Sequence, residues 1–121
     1  MESNPLNKKF QKELLSGISS LVLLSVVGRS EEPMYGYQIT KMLDASSGDT
    51  TFIKQGALYP VLRSLEKSGL LSSSVEPSVS GPPRRYYVST DLGKQTLSEW
   101  ETIWQKIQSF TKTILQGVED E

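Results

Sequence analysis

The sequence predicts a mostly α-helical chain with a small β-hairpin: three helices, the hairpin, and a long C-terminal helix. Apolar residues recur at steps of three and four in four segments, which is the spacing of helices with a buried face. Residues 77–83 contain three prolines and a glycine, so they cannot continue a β-ladder and mark the tip of the hairpin. The segments on either side of this tip are short enough to be its two strands.

Each element has a start or stop signal in the sequence. Gly28 is expected to end the first helix, and Gly69 to cap the third. Pro33 marks the loop 29–34, the composition of residues 46–49 predicts another loop, and Thr90 is a suitable N-cap for the last helix. The predicted helices cover 6–27, 35–45, 55–68 and 91–116, and the predicted strands cover 70–76 and 84–89. The second helix is expected to direct inward Ile39, Met42 and Leu43.

Composition restricts the possible functions. The 121 residues suffice for one domain with a buried core and an appended helix, divided as 1–90 and 91–121. The chain contains neither cysteine nor histidine, which excludes disulfide scaffolds, Cys/His zinc sites and nucleophilic sites that use a histidine base. No acidic cluster stands out as a metal or acid–base site. We therefore expect neither an enzyme nor a bound cofactor or metal.

Charge and hydropathy indicate where the chain acts. The net charge is −1, but residues 54–94 hold six cations and three carboxylates, whereas residues 95–121 hold two cations and five carboxylates. A basic face can therefore coexist with a nearly neutral total. No apolar stretch approaches the length of a membrane span, and the N-terminus does not resemble a signal peptide. We expect a cytoplasmic protein without a membrane partner.

The segment 56–69 has two unlike faces when it is read as a helix. Leu58, Leu62 and Leu65 form an apolar stripe. The opposite stripe combines small, aromatic and cationic residues: Gly56, Tyr59, Pro60, Arg63 and Lys67. A helix of this kind suits the major groove of DNA, where its first turn meets base edges and its cations meet phosphates. An ordinary solvated amphipathic helix explains the segment equally well on its own.

Two short helices followed by a hairpin form a winged helix-turn-helix, in which the second short helix is the reader and the hairpin is the wing. Arg84 and Arg85 lie where the returning strand of the wing begins. There they can contact the DNA backbone beside the groove. The alternative is that they only solubilise a strand edge; beside the reader helix, we expect DNA contact.

The last helix carries a heptad seam that predicts dimerisation. The seam consists of Trp100, Ile103, Ile107, Phe110 and Ile114, and a flanking stripe consists of Leu97, Trp104, Thr111 and Val118. The first helix is apolar around much of its circumference, so it is expected to meet a partner subunit as well as its own domain, with Leu14 and Ile18 at the interface. Trp104 could line a pocket for a planar ligand, although plain core packing explains its spacing better.

Three blocks of this sequence resemble the PadR family of transcriptional regulators. They are Tyr35-Gly36-Tyr37-Gln38-Ile39, residues 56–71 from Gly56 to Leu71, and residues 81–93 from Gly81 to Gly93. Their order and spacing match over nearly the whole chain, and the short C-terminal helix is similar to the smaller subfamily that includes the lactococcal multidrug-responsive repressor. The resemblance implies dimeric winged-helix repressors, some of which release DNA on binding planar aromatic compounds. It also implies that Trp104 occupies the position of a drug-sandwiching tryptophan, although Trp100 and Ile103 could fill the central space.

These observations predict a homodimeric, winged-helix, DNA-binding regulator, most simply a repressor that reads a palindromic operator. The rival is a winged helix used for protein–protein interaction without DNA. The expected DNA contacts are Tyr35, Gly36, Lys54, Gln55, Gly56, Tyr59, Pro60, Arg63, Lys67, Arg84 and Arg85. A planar aromatic effector is expected between the subunits at Trp104, Trp100 and Leu97.

Overall fold

The computed structural model describes residues 4–47 and 52–117 of the chain. Its seven elements follow the predicted order, with one short strand added before the second helix. They are α1 (Pro5–Arg29), β1 (Met34–Tyr35), α2 (Gly36–Ser47), α3 (Gln55–Lys67), β2 (Leu71–Glu76), β3 (Arg84–Ser89) and α4 (Asp91–Gln116). The strands form one antiparallel sheet in the order β1-β3-β2. The predicted fold class, mostly helical with a small hairpin, is confirmed.

The core lies where α1, α2 and α3 meet the inner face of the sheet. Leu58, Leu62 and Leu65 of α3 are all buried, as the helical spacing predicts. The other core residues come from every remaining element of the fold: Leu23, Leu24, Val27, Met34, Ile39, Leu70, Leu71, Tyr87 and Leu97. The inward orientation predicted for Met42 is wrong, because this side chain is 47% exposed, whereas Ile39 is fully buried and Leu43 partly buried.

Gly28 does not end α1, contrary to the prediction. The helix continues through it to Arg29, and Ser30 closes the last turn by donating its amide hydrogen to the Val27 carbonyl. A methyl group at Gly28 would lie 3.3 Å from Cδ2 of Leu97, so this glycine allows α4 to pack closely on α1. Gly69, by contrast, adopts the left-handed conformation (φ 84°) after α3 and caps it as predicted.

Two further boundaries differ from the prediction. Met34 and Tyr35 form a strand that pairs with Tyr87 and Tyr86 of β3, whereas the sequence placed them in a loop and a helix. A strand of two residues is too short to show an alternating pattern. Of the loop predicted at 46–49, Ser46 and Ser47 instead form the end of α2, and residues 48 and 49 lie outside the described part.

α4 is attached to the winged domain by a compact junction around Thr90. Its side-chain oxygen accepts the Gly93 amide hydrogen at 2.9 Å, which confirms the predicted N-cap, and donates to the Gly69 carbonyl at 2.7 Å. The Thr90 amide also donates to the Leu70 carbonyl at 3.1 Å. A methyl group at Gly93 would overlap the Leu70 carbonyl, so only a glycine lets the first turn of α4 approach so closely.

α1 is long and apolar enough to cross a membrane by length and composition alone, contrary to the prediction that no stretch of the chain approaches a membrane span. Its apolar stretch is interrupted by serines and glycines but remains apolar on average. The core helix of a globular domain can have the same length and apolar composition. α1 contributes three residues to the core described above: Leu23, Leu24 and Val27.

Candidate nucleic-acid interface

The outer face of α3 is the surface opposite its three buried leucines. Its members Gly56, Tyr59, Pro60, Arg63 and Lys67 are all exposed. They bring two long cations and a phenol hydroxyl to one exposed surface, with Lys54 and Gln55 at the start of the helix. This arrangement has the mixed donor and cation chemistry that meets base edges and phosphates.

Pro60 is the sixth residue of α3, beyond the first turn where a proline costs a helix least. It has no N–H, so it cannot donate the helical hydrogen bond to the Gly56 carbonyl four residues earlier. A methyl group at Gly56 would meet nothing within 4 Å. The first turns of α3 therefore present backbone as well as side chains to a ligand that approaches the outer face.

Tyr59 connects the outer face of α3 to the start of α2. A methyl group at Gly36 would overlap the Tyr59 hydroxyl, so the tyrosine side chain lies directly against the Gly36 backbone. Gly36 itself is buried and cannot offer a side chain to DNA. The start of α2 is fixed by the Gln38 side chain, which accepts the Tyr35 amide hydrogen at 3.1 Å, as in one half of a capping box.

Arg84 and Arg85 lie on opposite faces of β3, because successive side chains on a strand alternate. Arg85 donates to the Ser73 hydroxyl at 2.9 Å, and this hydroxyl donates to the Glu66 carboxylate of α3 at 2.8 Å. Arg84 instead lies over the Tyr35 ring, 4.5 Å from its centre. The sequence grouped the two arginines in one role, whereas the structure gives them different surroundings.

Tyr87 marks the place where the inner face of the sheet meets α3. Burial raises the pKa of its hydroxyl above 10.0, and the nearby Glu66 carboxylate acts in the same direction. The cations of Arg85 and Arg63 act in the opposite direction, lowering this pKa. Charges from β3 and from α3 therefore act on the hydroxyl of this one tyrosine.

An aromatic surface that was not predicted from the sequence begins at Tyr35. The Tyr86 ring meets Tyr35 edge-on with centres 5.2 Å apart, and the Tyr37 ring stacks at 6.5 Å. The Lys41 ammonium lies 5.4 Å from the centre of the Tyr37 ring. Two signals were present in the sequence: the spacing of four between Tyr37 and Lys41, and the spacing of two between Arg84 and Tyr86.

The residues of the predicted dimer interface lie on α1 and α4. Ile103, Ile107, Phe110 and Ile114 are each more than half exposed in the single chain, and Leu14 is 50% exposed. Ile18 and Trp100 are partly buried, and Trp100 packs against the core. Val118 of the flanking stripe lies outside the described residues.

An open cavity of about 530 Å³ lies between α1 and α4, and its lining is mainly apolar. It includes the predicted ligand residues Trp100 and Trp104, together with Ile18, Ile103 and Ile107. Leu97 does not line this cavity, because it is buried in the core against Gly28. In the described residues, no group of three or more acidic side chains is placed to hold a metal ion.

Comparison with known proteins identifies the family. The family model "Transcriptional regulator PadR-like family" matches residues 23–99. The chain is 32% identical to a PadR family regulator of Eggerthella lenta, over 93% of this chain and 94% of that one, with a TM-score of 0.76. It is 30% identical to a PadR-like regulator of Bacillus cereus, over 87% and 98% of the two chains, with a TM-score of 0.70.

An uncharacterised protein of Lysinibacillus sphaericus is 27% identical over 109 residues, covering 90% of this chain and 98% of that protein. The two solved relatives are regulators of transcription and not enzymes, and their winged-helix fold is the one described above. The match covers both short helices, the wing and the junction to α4. The chain therefore belongs to the PadR-like family of DNA-binding transcriptional regulators.

Proposed function

We propose that the chain is a cytoplasmic repressor that binds a palindromic operator as a homodimer. The observation that carries the proposal is the contrast between the two faces of α3, one buried with its three leucines and the other exposed with Tyr59, Arg63 and Lys67. In a winged helix-turn-helix, the reader helix enters the major groove and the wing follows the flanking backbone. A two-fold dimer matches the symmetry of a palindromic site, and an occupied operator excludes polymerase from an overlapping promoter.

The proposed DNA contacts have different tasks. Arg63 is the strongest candidate for reading a base, because a guanidinium can donate two hydrogen bonds to guanine. Lys67 and Lys54 contact phosphates at the two ends of α3, and Gly36 acts indirectly, by admitting the Tyr59 ring. The remaining proposed contacts are Tyr35, Gln55, Gly56, Pro60, Arg84 and Arg85.

The two wing arginines are proposed to act in complementary ways. Arg84 presents its guanidinium above the Tyr35 ring, where it can neutralise a phosphate. Arg85 is held by Ser73, which is itself held by Glu66, so it fixes the wing relative to α3. The reader and the wing would then meet the duplex with one fixed relative orientation.

The homodimer is proposed to form through α1 and α4. The apolar side chains on these helices, among them Leu14, Ile107 and Phe110, are too exposed in the single chain to be left in water without cost. Repeats of three and four on a long helix are the pattern that packs against a second helix. The proposed interface also contains Ile18, Trp100, Ile103 and Ile114.

A planar aromatic effector is proposed to bind in the cavity between α1 and α4. Trp104 is 37% exposed and lines this cavity with Trp100, so indole faces are available for stacking. An open cavity of about 530 Å³ is within the size range of small-molecule sites. Its place beside the proposed dimer interface would let a ligand change the spacing of the two reader helices.

The test of the proposed function is the substitution Arg63→Ala, with binding measured against a duplex that the wild-type protein selects from a random-sequence library. Loss of a base contact weakens binding by about 1–3 kcal/mol, while the melting temperature stays close to wild type because position 63 is exposed. Lys12→Gln, an exposed cation on α1, is the matched control. Unchanged affinity of the Arg63 variant would remove this residue from the interface.

The rival hypothesis, a protein–protein interaction module, is tested by duplex selection and heparin retention of the wild-type protein. Failure to select any duplex, together with weak and salt-insensitive retention on heparin, would favour the rival. Repression itself is tested by transcription in vitro from a promoter that overlaps the selected site. A rise in transcript on adding the protein would indicate an activator instead.

A further inference from the structure

We infer that Arg29 and Glu101 are positioning residues of the proposed regulator. Their ion pair fixes the direction in which α4 leaves the winged domain. In the proposed homodimer, this direction sets the distance between the two reader helices, and so determines which separation of half-sites the operator must have. The inference rests on the proposed function and extends it to two residues that are neither proposed DNA contacts nor part of the cavity lining.

Three contacts on successive turns of α4 hold this helix on the winged domain. Gly93 provides the first, at the junction described above, and Leu97 provides the second, against Gly28 of α1. Glu101, one further turn along, provides the third through its ion pair with Arg29. Residues four apart on a helix are neighbours on its surface, so each contact lies next to the previous one.

Glu101 is the outermost of these contacts. It is the last partly buried residue of α4, because every residue from 102 to 117 is exposed. The first two contacts attach the start of α4 to the domain, whereas a contact one turn further, about 6 Å along the helix axis, also fixes its direction. Breaking the outermost contact therefore frees the direction of α4 without releasing its attachment.

The Arg29 side chain is held by both helices. Its Nε donates to the Ser25 hydroxyl, one turn earlier in α1, at 3.2 Å, and its Nη2 donates to the Glu101 carboxylate. Because the guanidinium is planar, these two bonds fix its orientation as well as its position. The ion pair between Lys9 and Glu13, by contrast, lies within α1 and connects no two elements.

Stability alone does not account for the pair. The side chains of Arg29 and Glu101 are 67% and 39% exposed, and exposed ion pairs contribute little to the free energy of unfolding. Arg29, in the last turn of α1, would interact favourably with this helix end even without a carboxylate partner. Directions of α4 that differ by a small rotation keep the core intact, so a weak contact is enough to select one of them.

The direction of α4 matters for DNA because much of the proposed dimer interface lies beyond Glu101. The exposed apolar residues of this part are Ile103, Ile107, Phe110 and Ile114. A partner subunit bound there would follow the direction of the helix. A two-fold dimer places both reader helices in the major groove only where the half-site separation matches their own, and one inserted base pair rotates a half-site by about 34° around the duplex.

The test measures how strongly the protein discriminates between operators that differ only in half-site separation. A duplex selected by the wild type is compared with duplexes that have one base pair more or one fewer at the centre. The variants are Arg29→Gln, Glu101→Gln and the double variant, which remove the charges and keep polar side chains. Glu99→Gln is the matched control, because Glu99 is an exposed carboxylate on α4 that accepts a hydrogen bond from Gln95 of the same helix.

The wild type is expected to prefer the selected separation. In each single variant, the ratio of the affinities for the selected and altered duplexes is expected to fall by roughly three- to tenfold, since a dimer contains two exposed pairs of modest strength. The double variant is expected to match the single ones, because either substitution already removes the interaction. The control should behave like the wild type, and all melting temperatures should agree within about 5 °C.

Salt provides a second measurement that a merely structural role would not affect. The compared duplexes offer the same phosphates, so counterion release cancels in the ratio of their affinities. Added salt still screens the exposed ion pair. The preference of the wild type is therefore expected to fall as salt is raised, and that of the variants to stay constant.

Two results would overturn the inference. If the single variants keep the preference of the wild type, the ion pair does not fix the half-site separation, although the protein binds DNA as a dimer. If the effects of the single substitutions add up in the double variant, Arg29 and Glu101 act separately and not through their ion pair. Failure of the proposed function is distinguishable, because the wild type then selects no duplex or binds all separations equally well.

Discussion

Gly93 is the position where one methyl group is expected to cost the most stability. It lies in the first turn of α4, where a methyl group would be 3.0 Å from the carbonyl carbon of Leu70 and closer still to the oxygen. A backbone carbonyl cannot rotate away as a side chain can. The substitution Gly93→Ala must therefore move the first turn of α4 away from the turn before β2, which disturbs the hydrogen bonds of Thr90.

The magnitude follows from three contributions. Overpacking a tight contact costs about 1–3 kcal/mol of the free energy of unfolding. A disturbed N-cap at Thr90 adds about 1 kcal/mol, and the better helix propensity of alanine returns about 1 kcal/mol. The net loss is about 1–3 kcal/mol, and for a chain of this size the melting temperature falls by roughly 4–12 °C.

Thermal unfolding followed by circular dichroism, at one fixed protein concentration, measures this loss. The matched control is Gly56→Ala, since a methyl group at Gly56 meets nothing within 4 Å. The control is expected to keep or slightly raise the melting temperature through helix propensity. If the Gly93 variant melts like the control, the close approach of α4 to Leu70 does not constrain the fold.

Three further outcomes are expected. A chain that stops before Trp100 should sediment as a monomer and lose operator binding, because one winged domain makes too few contacts for a specific site; a stable dimer would show that α1 suffices. Trp104→Ala should abolish fluorescence quenching by planar aromatic cations and keep the dimer, whereas Trp100→Ala should weaken the dimer. Dissociation of the Trp104 variant would make Trp104 part of the interface. Because the pKa of Tyr87 is raised in the fold, this tyrosine ionises at a lower pH in the unfolded chain than in the folded one. The stability that comes from its neutral hydroxyl is therefore present below pH 10.0 and is lost as the pH rises above it. The free energy of unfolding of Tyr87→Phe, measured with urea, should therefore fall less steeply above pH 10.0 than that of the wild type. Equal pH dependence in the two proteins would contradict the raised pKa.

The helical faces were predictable because they depend on local spacing. Leu58, Leu62 and Leu65 recur at steps of three and four, and burial of that stripe leaves the outer face of α3 exposed whatever surrounds it. The Thr90 cap was predictable for the same reason, since a side chain that bonds three residues ahead is a local signal.

Features that depend on contacts distant in sequence were not predictable. Gly28 carries the signal of a helix end, but α1 continues through it to Arg29, and the space for a side chain there is limited by Leu97, far along the chain. β1 exists only because β3 is there to pair with it. The edge-on contact of the Tyr35 and Tyr86 rings depends on that same pairing, because it brings the two residues side by side.

The surroundings of Arg84 and Arg85 were partly predictable. Alternation along a strand requires adjacent residues to face opposite ways, so their separation could have been inferred from the sequence. The partners of Arg85 could not, because the hydrogen bonds through Ser73 to Glu66 need the register of β2 against β3 and the position of α3.

α1 is a single unbroken helix with one end in the core and the other in solvent. Its last turns hold Leu24 and Val27 in the core beside α3, while Leu6 and Phe10 near its start stand exposed. At 1.5 Å per residue, its 25 residues form a lever about 37 Å long. A tilt of about 10° at one end displaces the other by about 6 Å, nearly two base-pair steps of 3.4 Å. In the proposed dimer of α1 and α4, a small change of helix crossing angle at the proposed ligand cavity would be enough to move the reader helices out of register with their half-sites.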